Sequence, residues 1–183
     1  MTTTYQVKNI KTFHGHDGGC WECTLYNPKG KRVAIVTEDG WGGELQFHWL
    51  DFKADRVEIT SYDYTDKPHT FKGNPEEAAL YAFCHTLPNW HSEYDDDDKG
   101  NRTSPDVYLS DLVNKKLTER DVKRLINKKV AVFNEGSIYT WKCPITHPEI
   151  RGLIKDKYPK GIIINDLPLA KAVELYGQIQ EGK

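Results

Sequence analysis

The residues with the most chemistry to offer crowd into the first third of the chain. Between His14 and Cys23 stand two imidazoles and two thiols, His14, His16, Cys20 and Cys23, with Asp17 among them. Nitrogen and sulfur donors of this kind hold zinc. Further on, Asp39-Gly40-Trp41-Gly42-Gly43 supplies an acid, three glycines and an indole, and His48 and Trp49 follow. Glycine-rich backbone can aim several N–H groups at an anion, as a nest does. Trp41 can stack on a base or on a partner's side chain. Asp17 or Asp39 beside a histidine could exchange a proton with it.

Spacing narrows these options. Cys20 and Cys23 fall on opposite faces of an extended strand, and Cys23 shares the parity of Trp21 and Leu25, which suits a core position. Zinc-binding CxxC pairs sit on turns and come in twos, whereas a second CxxC is missing here, so no metal is expected. The glycine loop lacks the GK[ST] ending of a phosphate-binding loop and the dinucleotide fingerprint, so no cofactor is implied. No nucleophile stands at a defined spacing from a base, and no catalytic residue is assigned. Binding is the expected role. The candidate contact residues are His14, His16, Asp17, Asp39, Gly40, Trp41, Gly42, Gly43 and His48.

A hairpin has to position this set. Cys20 to Asn27 reads as a strand, Asn27-Pro28-Lys29-Gly30 as a tight turn, and Lys31 to Thr37 as the return strand. Its open end then carries His14 to Gly19 and Asp39 to Gly43 side by side. Tyr5 to His14 alternates loosely, Glu44 to Phe52 alternates with aromatics, and Arg56 to Tyr62 is a further short strand. Asn74-Pro75-Glu76-Glu77 opens a helix as a capping box with proline at its first position. Asp106 to Lys116 reads as a second helix, with a new one starting at Thr118 and burying Val122, Leu125 and Ile126. Lys129 to Asn134 and Ser137 to Lys142 pair across Glu135-Gly136. Thr146 to Glu149 opens another helix, Ile162 to Ile164 is a short buried strand, and a last helix runs from Asp166 until Gly177 stops it. The pattern predicts an α+β fold, a mostly antiparallel sheet of about five to seven strands with three to five helices packed on it. Residues 1–183 are expected to form a single domain, with a mobile acidic loop at 89–104.

Composition bounds the partners. A chain of 183 residues can fill one core. No apolar run nears the roughly 20 residues that span a bilayer, and the start carries no signal-peptide pattern, so a cytoplasmic protein with reduced cysteines and no membrane partner is expected. The net charge of -2 conceals an asymmetry: Thr37 to Asp98 holds 15 acidic and 4 basic residues, and Lys115 to Lys129 holds 7 basic and 2 acidic ones. The basic segment lacks interleaved aromatics for base stacking, which disfavours nucleic acid. The acidic stretch suits a basic protein surface. A small nucleotide-like anion, held by the paired glycine loops with Trp41 stacked on it, is the second expectation.

The opening unit resembles a loose family of small, functionally uncharacterised proteins encoded largely by bacteriophages. The resemblance rests on Cys20-Trp21 at a strand start, Gly30-Lys31-Arg32-Val33 after the turn, the Asp39-Gly40-Trp41-Gly42-Gly43 loop and the trailing His48-Trp49. Thr118 to Phe133, a basic helix followed by a strand, is also similar. Relatives carry histidine in the glycine loop where this chain has Trp41. The resemblance brings no assigned activity. The phage origin it implies favours a small protein that binds a host factor, such as an inhibitor of a defence or nuclease system. With the lack of a catalytic set and the polarised charge, a non-enzymatic binding protein is expected.

Overall fold

The computed structural model describes residues 4–15, 19–63, 65–91, 100–143, 145–146 and 149–180. The fold is of the α+β class, with the strands of the described residues divided among three antiparallel sheets of four, two and three strands. The chain separates into two compact units, Met1–Val113 and Asn114–Lys183. The division falls inside the helix Pro105–Lys128.

In the first unit, β1 (Gln6–His14), β2 (Gly19–Tyr26), β3 (Arg32–Glu38) and β4 (Gln46–Trp49) form the four-stranded sheet in chain order. β2 is covered on both faces, and Cys20, Trp21, Cys23, Thr24 and Leu25 are all buried. The β2–β3 turn is held by Asn27. Its carbonyl accepts from the Gly30 N–H at 2.8 Å, and its side chain accepts from the N–H groups of Lys29 and Lys31, both at 3.1 Å. Gly30 takes φ 77°, as the turn sequence requires.

β5 (Val57–Tyr62) and β6 (Pro68–Gly73) form the two-stranded sheet, followed by α1 (Pro75–Cys84). β6 is not among the strands the sequence suggests, because Pro68 and Gly73 read as breakers. Proline is nevertheless tolerated at the first residue of an edge strand, where its missing N–H faces away from the ladder. The expected capping box is present: the Asn74 side chain accepts from the Glu76 N–H at 2.9 Å, and Glu77 accepts from the Asn74 N–H at 3.1 Å. Leu80 and Cys84 are buried, and Phe83 lies between Tyr5 and Tyr108 with ring centroids 5.2 Å away on each side.

Residues 92–99, the centre of the predicted mobile loop, lie outside the described residues. The flanks of that loop are tied down. Trp90 and Asn101 exchange backbone hydrogen bonds of 2.9 and 2.8 Å, and the Thr103 hydroxyl donates to the Pro88 carbonyl at 2.7 Å. Arg102 pairs with Asp66 and lays its guanidinium 4.1 Å from the centre of the Tyr62 ring.

α2 (Pro105–Lys128) is one helix of 24 residues where the sequence suggested two. Thr118 offers a cap, yet no glycine or proline follows Pro105 to break the ladder. Glu119 instead ties Lys116 at 3.1 Å to Lys123 at 2.7 Å along one side of the continuous helix. In the second unit, β7 (Val130–Asn134) lies between β8 (Ser137–Trp141) and β9 (Ile162–Ile163). The β7–β8 turn is the expected Glu135-Gly136, with φ 50° and 76°. Two apolar clusters fill this unit. Val122, Ala131, Ile164 and Ala172 pack together in one, and Val130, Val132, Ile150 and Ile154 in the other. α3 (Ile150–Lys157) and α4 (Leu169–Gln180) complete it, with Gly177 carried inside α4 and not at its end. The Asn165 side chain accepts from the Ala131 N–H and donates to the carbonyls of Ile126 and Lys129, clamping the α2–β7 junction.

Candidate functional site

The hairpin brings the two glycine-rich segments together as its turn geometry requires. A Cβ on Gly15 would lie 3.0 Å from the Asp39 carbonyl oxygen and 3.6 Å from the Gly40 Cα, and both glycines sit over the Cys20 sulfur. His14, exposed, ends β1 opposite Gly19. His16 and Asp17 lie outside the described residues. Gly40 and Gly42 adopt φ 76° and 72°, the left-handed conformation that glycine tolerates. A Cβ on Gly43 would meet nothing within 4 Å, and Trp41 is 68% exposed.

The hydrogen bonds of this corner point inward. The Gly40 N–H donates to the Glu38 carboxylate and the Trp41 N–H to the Asp39 carboxylate, both at 3.0 Å. The second Asp39 oxygen accepts from the Gln46 amide at 2.7 Å. Two N–H groups that an anion would need are therefore bonded to carboxylates of the chain itself, and those charges would repel it. Burial disfavours the thiolate at Cys20, Cys23 and Cys84. Burial pushes Cys23 and Cys84 up to about 12, and burial with the Asp39 and Glu38 charges raises Cys20 as well. Among the described residues, no three His, Cys, Asp or Glu side chains converge to hold a metal ion.

A second place in the same unit has the opposite character. Phe47, His48 and Trp49 of β4, Phe52, Ala54 and Arg56 of the turn after it, and Phe71, Lys72 and Gly73 of β6 line a groove of about 490 Å³, together with Asn74 and Glu77. That volume is in the range of ligand pockets. Phe47 and Trp49 stack at 5.4 Å with planes 8° apart, and Phe71 meets Tyr81 edge-on at 5.7 Å. Phe52 is 79% exposed, and Leu50 and Val57 are also exposed large apolar residues. Lys53 stands over the Phe52 ring at 5.8 Å. Three of the four basic residues of the acidic stretch, Lys53, Arg56 and Lys72, thus gather at one aromatic groove. Glu77 is the acid that lines it, and its carboxylate is engaged with the Asn74 N–H.

The contact residues expected from sequence therefore divide. His14, Asp39, Gly40, Trp41, Gly42 and Gly43 belong to the corner, while His48 alone lines the groove. Sequence reasoning missed Phe52, Arg56, Phe71 and Lys72. The available signal was the exception within the acidic stretch: two of its four cations stand next to aromatics, at Phe52-Lys53 and Phe71-Lys72.

The basic segment of α2 is partly neutralised by its own helix. Besides the Glu119 bonds to Lys116 and Lys123, Arg120 lies 3.8 Å from Asp121. No described helix is long and apolar enough to cross a membrane. Compared with known proteins, the chain matches no family model, no curated protein and no solved structure.

Proposed function

We propose that this protein works by binding another protein, without catalysing a reaction, and that its contact surface is the aromatic groove between β4 and β6. The observation that carries the reading is the gathering of Phe47, Trp49, Phe52 and Phe71 with the cations Arg56, Lys72 and Lys53 in a unit otherwise rich in acids. Aromatic side chains and arginine dominate the energetic centres of protein interfaces. Phe52, which lines the groove and is 79% exposed, is the kind of apolar side chain that marks such a contact. The phage-like opening unit favours a host protein as the partner and the host cytoplasm as the place of action, with inhibition of a defence or nuclease protein as the outcome.

The glycine corner supports this reading less, since its N–H groups and Asp39 are turned onto one another. The small-anion alternative is better served by the groove, where a planar ring could stack near Arg56 and Lys72. A melting-temperature panel of nucleotides tests that alternative, with no shift expected.

Co-purification from the natural host tests the main reading. The wild type and Trp41→Ala are expected to retain the same partner, and Phe52→Asp to lose it. Retention by Phe52→Asp with loss in Trp41→Ala would return the site to the glycine corner. Recovery of no partner by any form would end the proposal.

A further inference from the structure

The four-stranded sheet has two edges, and they are finished differently. On the β1 edge, the register slips between Lys8 and Lys11, Asn9 adopts φ 54°, and two lysines project from the strand. A bulge and edge lysines are the usual devices that keep a strand from recruiting another. The β4 edge, Gln46-Phe47-His48-Trp49, has no bulge, lysine or proline.

The ladder shows which backbone groups that bare edge presents. The Leu50 N–H donates to the Val33 carbonyl at 3.0 Å, and the register continues through Trp49 with Ala34, His48 with Ile35 and Phe47 with Val36. Bonded and non-bonded pairs alternate in an antiparallel ladder. His48 therefore exchanges hydrogen bonds with β3, while Phe47 and Trp49 turn their N–H and C=O groups to the open side. The same parity holds in β6. The Asp63 N–H donates to the Lys67 carbonyl, so Pro68, Thr70 and Lys72 face away from β5. Pro68 has no N–H to present there, and the Lys72 carbonyl accepts a long 3.5 Å contact from Arg56.

Three consecutive residues of β4 and three of β6 line the groove. A surface met on one face of a strand would show alternate residues only. The groove is thus bordered by strand edges, with aromatic rings inside it and cations at its rim.

The geometry points to an extended peptide as the occupant: a partner segment that adds as a strand to the open edge of β4 and places an acidic side chain at Arg56 and Lys72. The backbone groups of Phe47 and Trp49 need a peptide backbone, since strand addition draws its affinity from such main-chain bonds. The rings of Phe47, Trp49, Phe52 and Phe71 receive the alternate apolar side chains of that strand. Lys53, Arg56 and Lys72 select acids among its other residues. This inference rests on the groove being the contact surface, and it adds what the groove recognises.

The test uses the full chain and a library of random capped ten-residue peptides displayed for selection. Enriched peptides are expected to alternate apolar residues and to carry at least one acid. Binding by the best of them should fall at least ten-fold in the Arg56→Glu, Lys72→Glu double variant. N-methylation of the peptide backbone should abolish binding at residues of one parity and spare the other. In the complex, the amides of Phe47 and Trp49 should exchange with solvent at least ten-fold more slowly, with His48 unchanged. Peptides that bind without slowing Phe47 and Trp49 would overturn strand addition and leave the groove as a protein contact. A selection that enriches nothing over a Phe52→Asp control would also overturn it, while the co-purification result stands on its own. Slowed amides in the unliganded chain at a doubled solution mass would make a second copy the occupant and overturn the peptide assignment.

Discussion

The glycine corner and the aromatic groove lie in one unit and draw on similar residue types, yet they have used their polar groups in opposite ways. At the corner, Glu38 and Asp39 accept from Gly40, Trp41 and Gln46, and the backbone packs closely over Cys20. In the groove, the open edge of β4 presents Phe47 and Trp49, and Phe52 stands 79% exposed. A cluster of chemically able residues can be wholly occupied in building a turn. The groups left facing a concave surface are the better guide to function, because an internally satisfied polar group gains little from a ligand.

If the corner is structural, its variants should lower stability and spare binding. The largest effect is expected at Gly40, where a Cβ would lie 2.6 Å from the Cys20 sulfur at φ 76°. Gly40→Ala should lose about 2–4 kcal/mol in urea unfolding, from backbone strain and overpacking together. A loss within 1 kcal/mol would show the corner to be looser than described, and would break the contrast.

Asp106, in the first turn of α2, adds a pH-dependent prediction for the same unit. Burial first, and then the Glu44 and Glu38 charges, raise Asp106 to about 6 against the Leu45 N–H bond that lowers it. A raised carboxyl favours folding in its protonated form, so its contribution is full below about pH 4 and is lost as the pH rises through about 6. Asp106→Asn should therefore be more stable than the wild type by roughly 1–3 kcal/mol at pH 8 and indistinguishable from it at pH 4. An equal gain at both values would assign the effect to packing and not to charge.

Smaller changes sharpen the comparison further. Asp39→Ala removes the acceptor for Trp41 and Gln46 and should cost about 1 kcal/mol of stability with partner binding intact. Phe52→Ser should leave stability within about 0.5 kcal/mol, as exposed sites do, and should still abolish partner capture. Loss of fold in Phe52→Ser would mean that the ring belongs to the core and not to a contact surface.

Much of this was legible in the chain. Asn27 to Gly30, the Asn74 capping box and Glu135-Gly136 announce their turns and helix start because their signals act over a few residues and nothing distant competes. The juxtaposition of Gly15 with Gly40 follows from the hairpin they flank. What stayed hidden depends on residues far apart in sequence. β6 opens on Pro68, and only its pairing with β5 makes it a strand. Thr118 is a local start signal overridden by a helix that had no reason to stop. The groove joins residues 47–56 to residues 71–77, so its lining cannot be read from any single window. Hydrogen bonds from Gly40 and Trp41 to Glu38 and Asp39, which close the loop, are likewise visible only with coordinates.

The most direct test places a photo-crosslinking amino acid at position 52 in one form of the protein and at position 41 in another, with irradiation in the natural host. Both side chains are exposed, at 79% and 68%, so either can report a neighbour without disturbing the core. The expected result is a single crosslinked species from position 52 and none from position 41. A crosslinked species from position 41 alone would contradict the account and make the glycine corner the contact surface.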